Sequence, residues 1–134
     1  MNSIKYVIYI ILLSAIIFVG CAQESTDSTF KSISPTKLGE QMKLDSSLVI
    51  LDVRNPYELQ EYLGHIEGVI NIPVQELEKR IGELEEYKDR EIAVICRSGV
   101  RSVTATNILL RNGFNAVNVE GGMIRYRAEE NKDE

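Results

Sequence analysis

The stretch Glu91-Ile92-Ala93-Val94-Ile95-Cys96-Arg97-Ser98-Gly99-Val100-Arg101-Ser102 carries the key to the architecture. After Glu91 its first half is apolar and rich in β-branched residues, the pattern of a strand buried on both faces. Its second half turns polar within one residue and includes a glycine that permits a tight backbone path. A helical run from about Ser102 to Arg111 follows, and Asn112-Gly113 is placed for a left-handed C-cap. The order is strand, tight loop, helix N-terminus, with Cys96 as the last strand residue.

The flanking sequence repeats this alternation. Leu48-Val49-Ile50-Leu51-Asp52-Val53 reads as a second buried strand, Val69-Ile70-Asn71-Ile72 as a short one stopped by Pro73, and Ala116-Val117-Asn118-Val119 as a third core strand. Between them lie helix signals. Ser34-Pro35 is an N-cap followed by proline at the first helical position, with Leu38 and Met42 one turn apart. Asn55-Pro56-Tyr57-Glu58 is close to a capping box and opens a short helix to about Tyr62. Leu77, Ile81 and Leu84 share one helical face, which leaves Glu76, Glu78, Glu83, Glu85 and Glu86 mostly on the solvent side. Gly121-Gly122 forms a turn into a last short helix. Strands alternating with helices predict right-handed βαβ units, hence an α/β fold with a central parallel sheet and helices on both faces.

Composition narrows the function. The 134 residues suit a single domain, and 44% hydrophobic with 26% charged residues is a globular balance. A net charge of −5 argues against nucleic acid as a partner, since phosphate binding needs a basic face. Two cysteines and one histidine are too few for a four-ligand zinc site, so no metal is expected.

From Tyr6 to Gly20 no residue is charged; Lys5 precedes this run and Cys21 ends it. The run is short for a permanent membrane span and has the layout of a signal peptide. Phe18-Val19-Gly20-Cys21 resembles a bacterial lipobox, with Phe18 where leucine is usual. That resemblance implies cleavage before Cys21 and acylation of its sulfur; the alternative is an uncleaved signal anchor. The expected division is a lipoprotein signal peptide over 1–20, a lipidated Cys21 with a polar, Ser/Thr-rich tether over 21–31, and a folded domain over 32–134. The chain is then exported and lipid-anchored to the cell envelope, on its periplasmic or extracytoplasmic side. Acylation of Cys21 removes it as a disulfide partner and leaves Cys96 alone.

Open α/β sheets place their sites at the carboxyl ends of the strands, where Cys96 stands. The loop Arg97, Ser98, Gly99, Val100, Arg101 and Ser102 is able to curl its backbone N–H groups around one point and cradle an anion. Arg97 and Arg101 add positive charge. Such surroundings favour the thiolate, which is the nucleophilic form. The bland alternative is a buried structural cysteine.

Several motifs, in order, resemble the rhodanese (sulfurtransferase) family. Leu51-Asp52-Val53-Arg54-Asn55-Pro56-Tyr57-Glu58 is similar to its LDVRxxxE segment. Gly64-His65-Ile66-Glu67-Gly68-Val69-Ile70-Asn71-Ile72-Pro73 is similar to GHIxGAxNIP, with Val69 for alanine. Cys96 to Ser102 resembles the active-site loop, and Gly121-Gly122 with Tyr126 resembles the closing GGxxxW, with tyrosine for tryptophan. The resemblance spans about Ser32 to Arg127. It implies a rhodanese-like fold and a persulfide carried on Cys96. The sulfur comes from a donor such as thiosulfate, polysulfide or a thiol persulfide and passes to a thiol or cyanide. No cofactor is implied. The N–H groups of Arg97 to Ser102 are then expected to surround the sulfur, and Arg101 to bind an anionic donor. His65 is expected to serve a structural turn rather than act as a base. Asp52 and Arg54 are expected to pair near the site and fix its loops.

Two other functions compete. One is a non-catalytic or sulfur-relay module for a partner protein. The other is a cysteine phosphatase, whose loop places five residues between cysteine and arginine, where four separate Cys96 from Arg101.

Overall fold

The structure is a computed structural model that describes residues 30–132. The expected signal peptide, Cys21 and all but the last two residues of the expected tether lie outside them. Among the described residues, no helix is long and apolar enough to cross a membrane.

Five strands form one sheet: β1 (Ser32–Ile33), β2 (Val49–Asp52), β3 (Ile70–Asn71), β4 (Glu91–Ile95) and β5 (Asn115–Val119). All pair in parallel, in the order β1-β5-β4-β2-β3. The helices are α1 (Pro35–Leu44), α2 (Leu77–Arg80), α3 (Val100–Arg111) and α4 (Gly122–Glu130), and 3₁₀ turns cover Pro56–Gln60 and Ile81–Tyr87.

The core explains why the strands read as unbroken apolar runs. Side chains alternate across a strand, and here both faces are covered. Ile92, Val94 and Cys96 pack with Ala105, Ile108 and Leu109 on one side. Ala93 and Ile95 pack with Leu38, Val117 and Met123 on the other. A strand with two dry faces has no polar side to show.

The expected parallel α/β sheet is therefore present, and several local signals act as read. The Ser34 hydroxyl accepts from the Lys37 N–H at 3.1 Å, capping α1. Gly113 ends α3 at φ +79°. The five glutamates from Glu76 to Glu86 are all exposed. Two features differ. The helix expected through Leu77, Ile81 and Leu84 divides into α2 and a 3₁₀ segment that contains Gly82, a weak helix former. Strand β1 has no local signal at all: it is two residues held by β5, where Asn118 N–H donates to the Lys31 carbonyl and Glu120 N–H to that of Ile33.

Candidate active site

Cys96 leaves the end of β4, the central strand, and the chain turns at once into α3. Gly99 makes that turn at φ +96°, in the left-handed region. The turn swings its N–H back to donate to Cys96 Sγ at 3.1 Å. Ser102, buried one turn into α3, lies 3.4 Å from the same sulfur and donates its hydroxyl to the Gly99 carbonyl at 3.0 Å. The first-turn N–H groups of a helix have no carbonyl one turn behind them. Those of Val100, Arg101 and Ser102 therefore take no part in the ladder of α3. Cys96 itself is only 1% exposed. Its side chain falls on the same sheet face as Ile92 and Val94 and joins their cluster.

A second turn fixes the loop from behind. Met123 N–H donates to the Cys96 carbonyl at 2.8 Å and Ile124 N–H to the Arg97 carbonyl at 3.0 Å. A Cβ on Gly122 would overlap the Cys96 carbonyl oxygen and come within 2.7 Å of Arg97 C. A Cβ on Gly99 would stand 3.0 Å from Gly121 N. The two turns meet backbone to backbone, so the Gly121-Gly122 pair is a positioning element of the site.

The segment after β2 supplies the charges. Arg54 and Asp52 form a buried pair, 1% and 0% exposed. Arg54 Nη2 and Nε reach Asp52 at 2.7 and 3.0 Å, and Nη2 also donates to the Gly64 carbonyl at 2.8 Å. Arg54 Nη1 donates to the Glu58 carbonyl at 3.3 Å. Asn71 ties down the same turn by donating to the carbonyls of Asp52 and Arg54, both at 2.9 Å. Asp52 and Arg54 are thus tied to the turn that carries Glu58.

Glu58 is the residue whose role the sequence concealed. The expected capping box is present, with Asn55 N–H donating to Glu58 Oε2 at 3.0 Å. The same carboxylate takes Arg101 through two bonds of 2.6 and 2.7 Å. The Arg101 bond is the main cause of a Glu58 pKa lowered from 4.5 to about 2. In return the Arg101 pKa is raised, first by Glu58 and further by the charges of Cys96 and Asp52. Arg97 pairs with Glu61 at 2.9 Å and reaches the Tyr62 hydroxyl at 3.3 Å. Ser98 and Val100 are exposed at the rim.

His65 is exposed, with Nδ1 3.3 Å from the Leu59 carbonyl. Its own carbonyl accepts from Arg127 Nη2 at 2.8 Å, and Arg127 Nε donates to the Leu63 carbonyl at 2.9 Å. The Gly64-His65 turn is thus held by arginines on both sides, Arg54 and Arg127. A cleft lined by Pro35, Thr36, Met42 and Tyr126 lies between α1 and α4 and includes none of the loop residues.

A thiol at the end of the middle strand of a parallel sheet, wrapped by a loop and a helix N-terminus, defines a class of anion-handling α/β proteins. The rhodanese-like domain family matches residues 34–129, and the chain belongs to that family. It is 37% identical over 99 residues to YtwF, a candidate sulfurtransferase of Bacillus subtilis, covering 74% of this chain and 92% of that protein. It is 44% identical over 98 residues to YrkF, a candidate sulfur carrier protein of the same organism; 72% of this chain is covered, and half of YrkF. A rhodanese-related protein from Thermoplasma volcanium superposes with a TM-score of 0.67 at 40% identity, over 75% of this chain and 93% of that one. Family and relatives together support sulfur transfer as the general chemistry.

Proposed function

We propose that the protein is a rhodanese-type sulfurtransferase in which Cys96 carries the sulfur as a persulfide. The Cys96 thiolate attacks the sulfane sulfur of a donor. The donor S–S bond breaks, and its electron pair leaves with sulfite or a thiolate. An acceptor thiolate or cyanide then attacks the outer sulfur, and the pair of the Cys96 S–S bond returns to Cys96. The observation that carries this reading is the Gly99 N–H aimed at Cys96 Sγ at 3.1 Å, at the N-terminus of α3. Fixed N–H dipoles there stabilise negative charge on one or two sulfur atoms at no reorganisation cost.

The reading extends to place. The chain is exported and held at the cell envelope by acyl groups on Cys21, ahead of a tether over 21–31 and a catalytic domain over 32–134. Two or more chains anchor stably where one does not.

Intact-mass measurement of the full chain in detergent, after exposure to a sulfane donor, tests the chemistry. The expected result is a gain of one sulfur atom, discharged by cyanide and absent in Cys96→Ser. Efficient hydrolysis of aryl phosphates by wild type, with no sulfur gained from any donor, would replace this reading with the phosphatase one.

A further inference from the structure

The cations around Cys96 do not act as free charges. Arg54 is paired with Asp52, Arg101 with Glu58 and Arg97 with Glu61. Each arginine of the loop and its support has its own carboxylate, so these three pairs add no net positive charge. Once Cys96 ionises, the sulfur is the one charge without a paired counter-ion among these seven residues, and the Gly99 N–H points at it.

The Glu58–Arg101 pair is also hard to open. Glu58 is 6% exposed. Its carboxylate is held by the Asn55 N–H and its carbonyl by Arg54, which Asp52 locks in turn. A sulfonate arriving from solvent has to displace a carboxylate that is already in place, desolvated and bound by two hydrogen bonds. Arg101 keeps further N–H donors for a ligand, but its charge is cancelled. The rim offers a different attraction. Val100 is 73% and Tyr62 80% exposed, and the Arg97 guanidinium lies 5.5 Å over the Tyr62 ring. An organic body finds apolar surface there that thiosulfate does not use.

We infer that Glu58, with Glu61 at the rim, is a specificity-determining residue that turns this site from dianionic donors toward organic persulfides of lower charge. The inference rests on the sulfurtransferase reading and names its donor class. Loading is R–S–SH with the Cys96 thiolate giving the Cys96 persulfide and R–S⁻: one S–S bond breaks, one forms, and no external oxidant or reductant is needed.

The test follows loading of the full chain in detergent by intact mass, with the sulfur located on the Cys96 peptide after alkylation. Thiosulfate is compared with N-acetylcysteamine persulfide, whose only ionisable group is the persulfide. Glu58→Gln removes one negative charge and keeps an oxygen for the Asn55 N–H. The expected result is a rise of about tenfold in the thiosulfate-to-persulfide ratio of loading rates, equivalent to about 1.4 kcal/mol. An unchanged or lower ratio overturns the inference and leaves sulfur transfer standing. Should Glu58→Gln lose cooperative unfolding, Glu61→Gln decides, because that pair is exposed and contributes little to folding. A ratio raised about threefold is expected there, and an unchanged one is equally fatal. If neither donor loads Cys96 in any of these proteins, the sulfurtransferase reading falls and takes this inference with it.

Discussion

Gly122 and Cys96 are 26 residues apart in sequence and touch through their backbones, with the Gly122 α-carbon set against the Cys96 carbonyl. Gly122 adopts φ +57° at this point. The contact leaves no room for a side chain, and the neighbouring Met123 N–H uses the same carbonyl as its acceptor. The geometry of the sulfur loop is thus set partly by a turn that carries no reactive group.

Gly122→Ala puts a Cβ into that contact and a side chain into the left-handed region. A loss of about 2–4 kcal/mol is expected, with sulfur loading slowed as the loop shifts. Gly39→Ala is the control. Gly39 lies inside α1 with nothing within 4 Å of an added Cβ, so it gains about 0.5–1 kcal/mol and loads normally. Urea midpoints check both; wild-type stability in Gly122→Ala would show that the loop does not depend on this contact.

Glu58 makes stability pH-dependent. Its pKa falls from 4.5 to about 2 on folding. A carboxyl depressed in this way stabilises the fold fully above the unfolded value. That contribution fades as pH drops through 4.5 and is gone below about 2. The contribution is about 3 kcal/mol. Thermal unfolding of wild type and Glu58→Gln at pH 7 and pH 2.5 tests it. The gap in Tm should be wide at the first and clearly narrower at the second, where part of the contribution remains; equal gaps refute it.

Arg101→Ala leaves the Glu58 carboxylate without its main partner. Breaking a buried pair costs about 3–5 kcal/mol, and partial exposure of Arg101, 28% for its side chain, brings the expected loss to about 2–3 kcal/mol. The site then bears the charge of Glu58, so thiosulfate loading should fall some ten- to hundredfold more than persulfide loading. Equal losses for the two donors would leave Arg101 a purely structural residue. Denaturation midpoints and intact-mass rates give the two readouts.

Cys21→Ser should abolish fatty-acid labelling of the chain in its bacterial host and leave the precursor uncleaved. Labelling that persists in this variant ends the lipoprotein proposal.

Local patterns carried much of the fold because their causes are local. Ser34 caps α1 through a hydroxyl oxygen that accepts from the N–H three residues on. Gly113 takes the φ that ends α3. β4 reads as buried because every position after Glu91 meets one core or the other. The same locality marked Cys96, a thiol at the junction of strand, glycine turn and helix start. Glu58 was legible as a capping residue and as the last position of the LDVRxxxE segment, and neither reading names Arg101 as its partner.

What the tertiary structure alone decided are relations between segments far apart in the chain. The Glu58–Arg101 pair spans 43 residues and exists because β2 and β4 are neighbours in the sheet. That adjacency brings the turn after one strand beside the loop after the other. β1 is a strand only because β5 offers an edge to pair with. The burial of Cys96 depends on α3 folding back over its face of the sheet. Backbone propensity and capping act over a few residues and can be read along the chain. Charge neutralisation, edge pairing and desolvation depend on which segments the packed sheet makes neighbours.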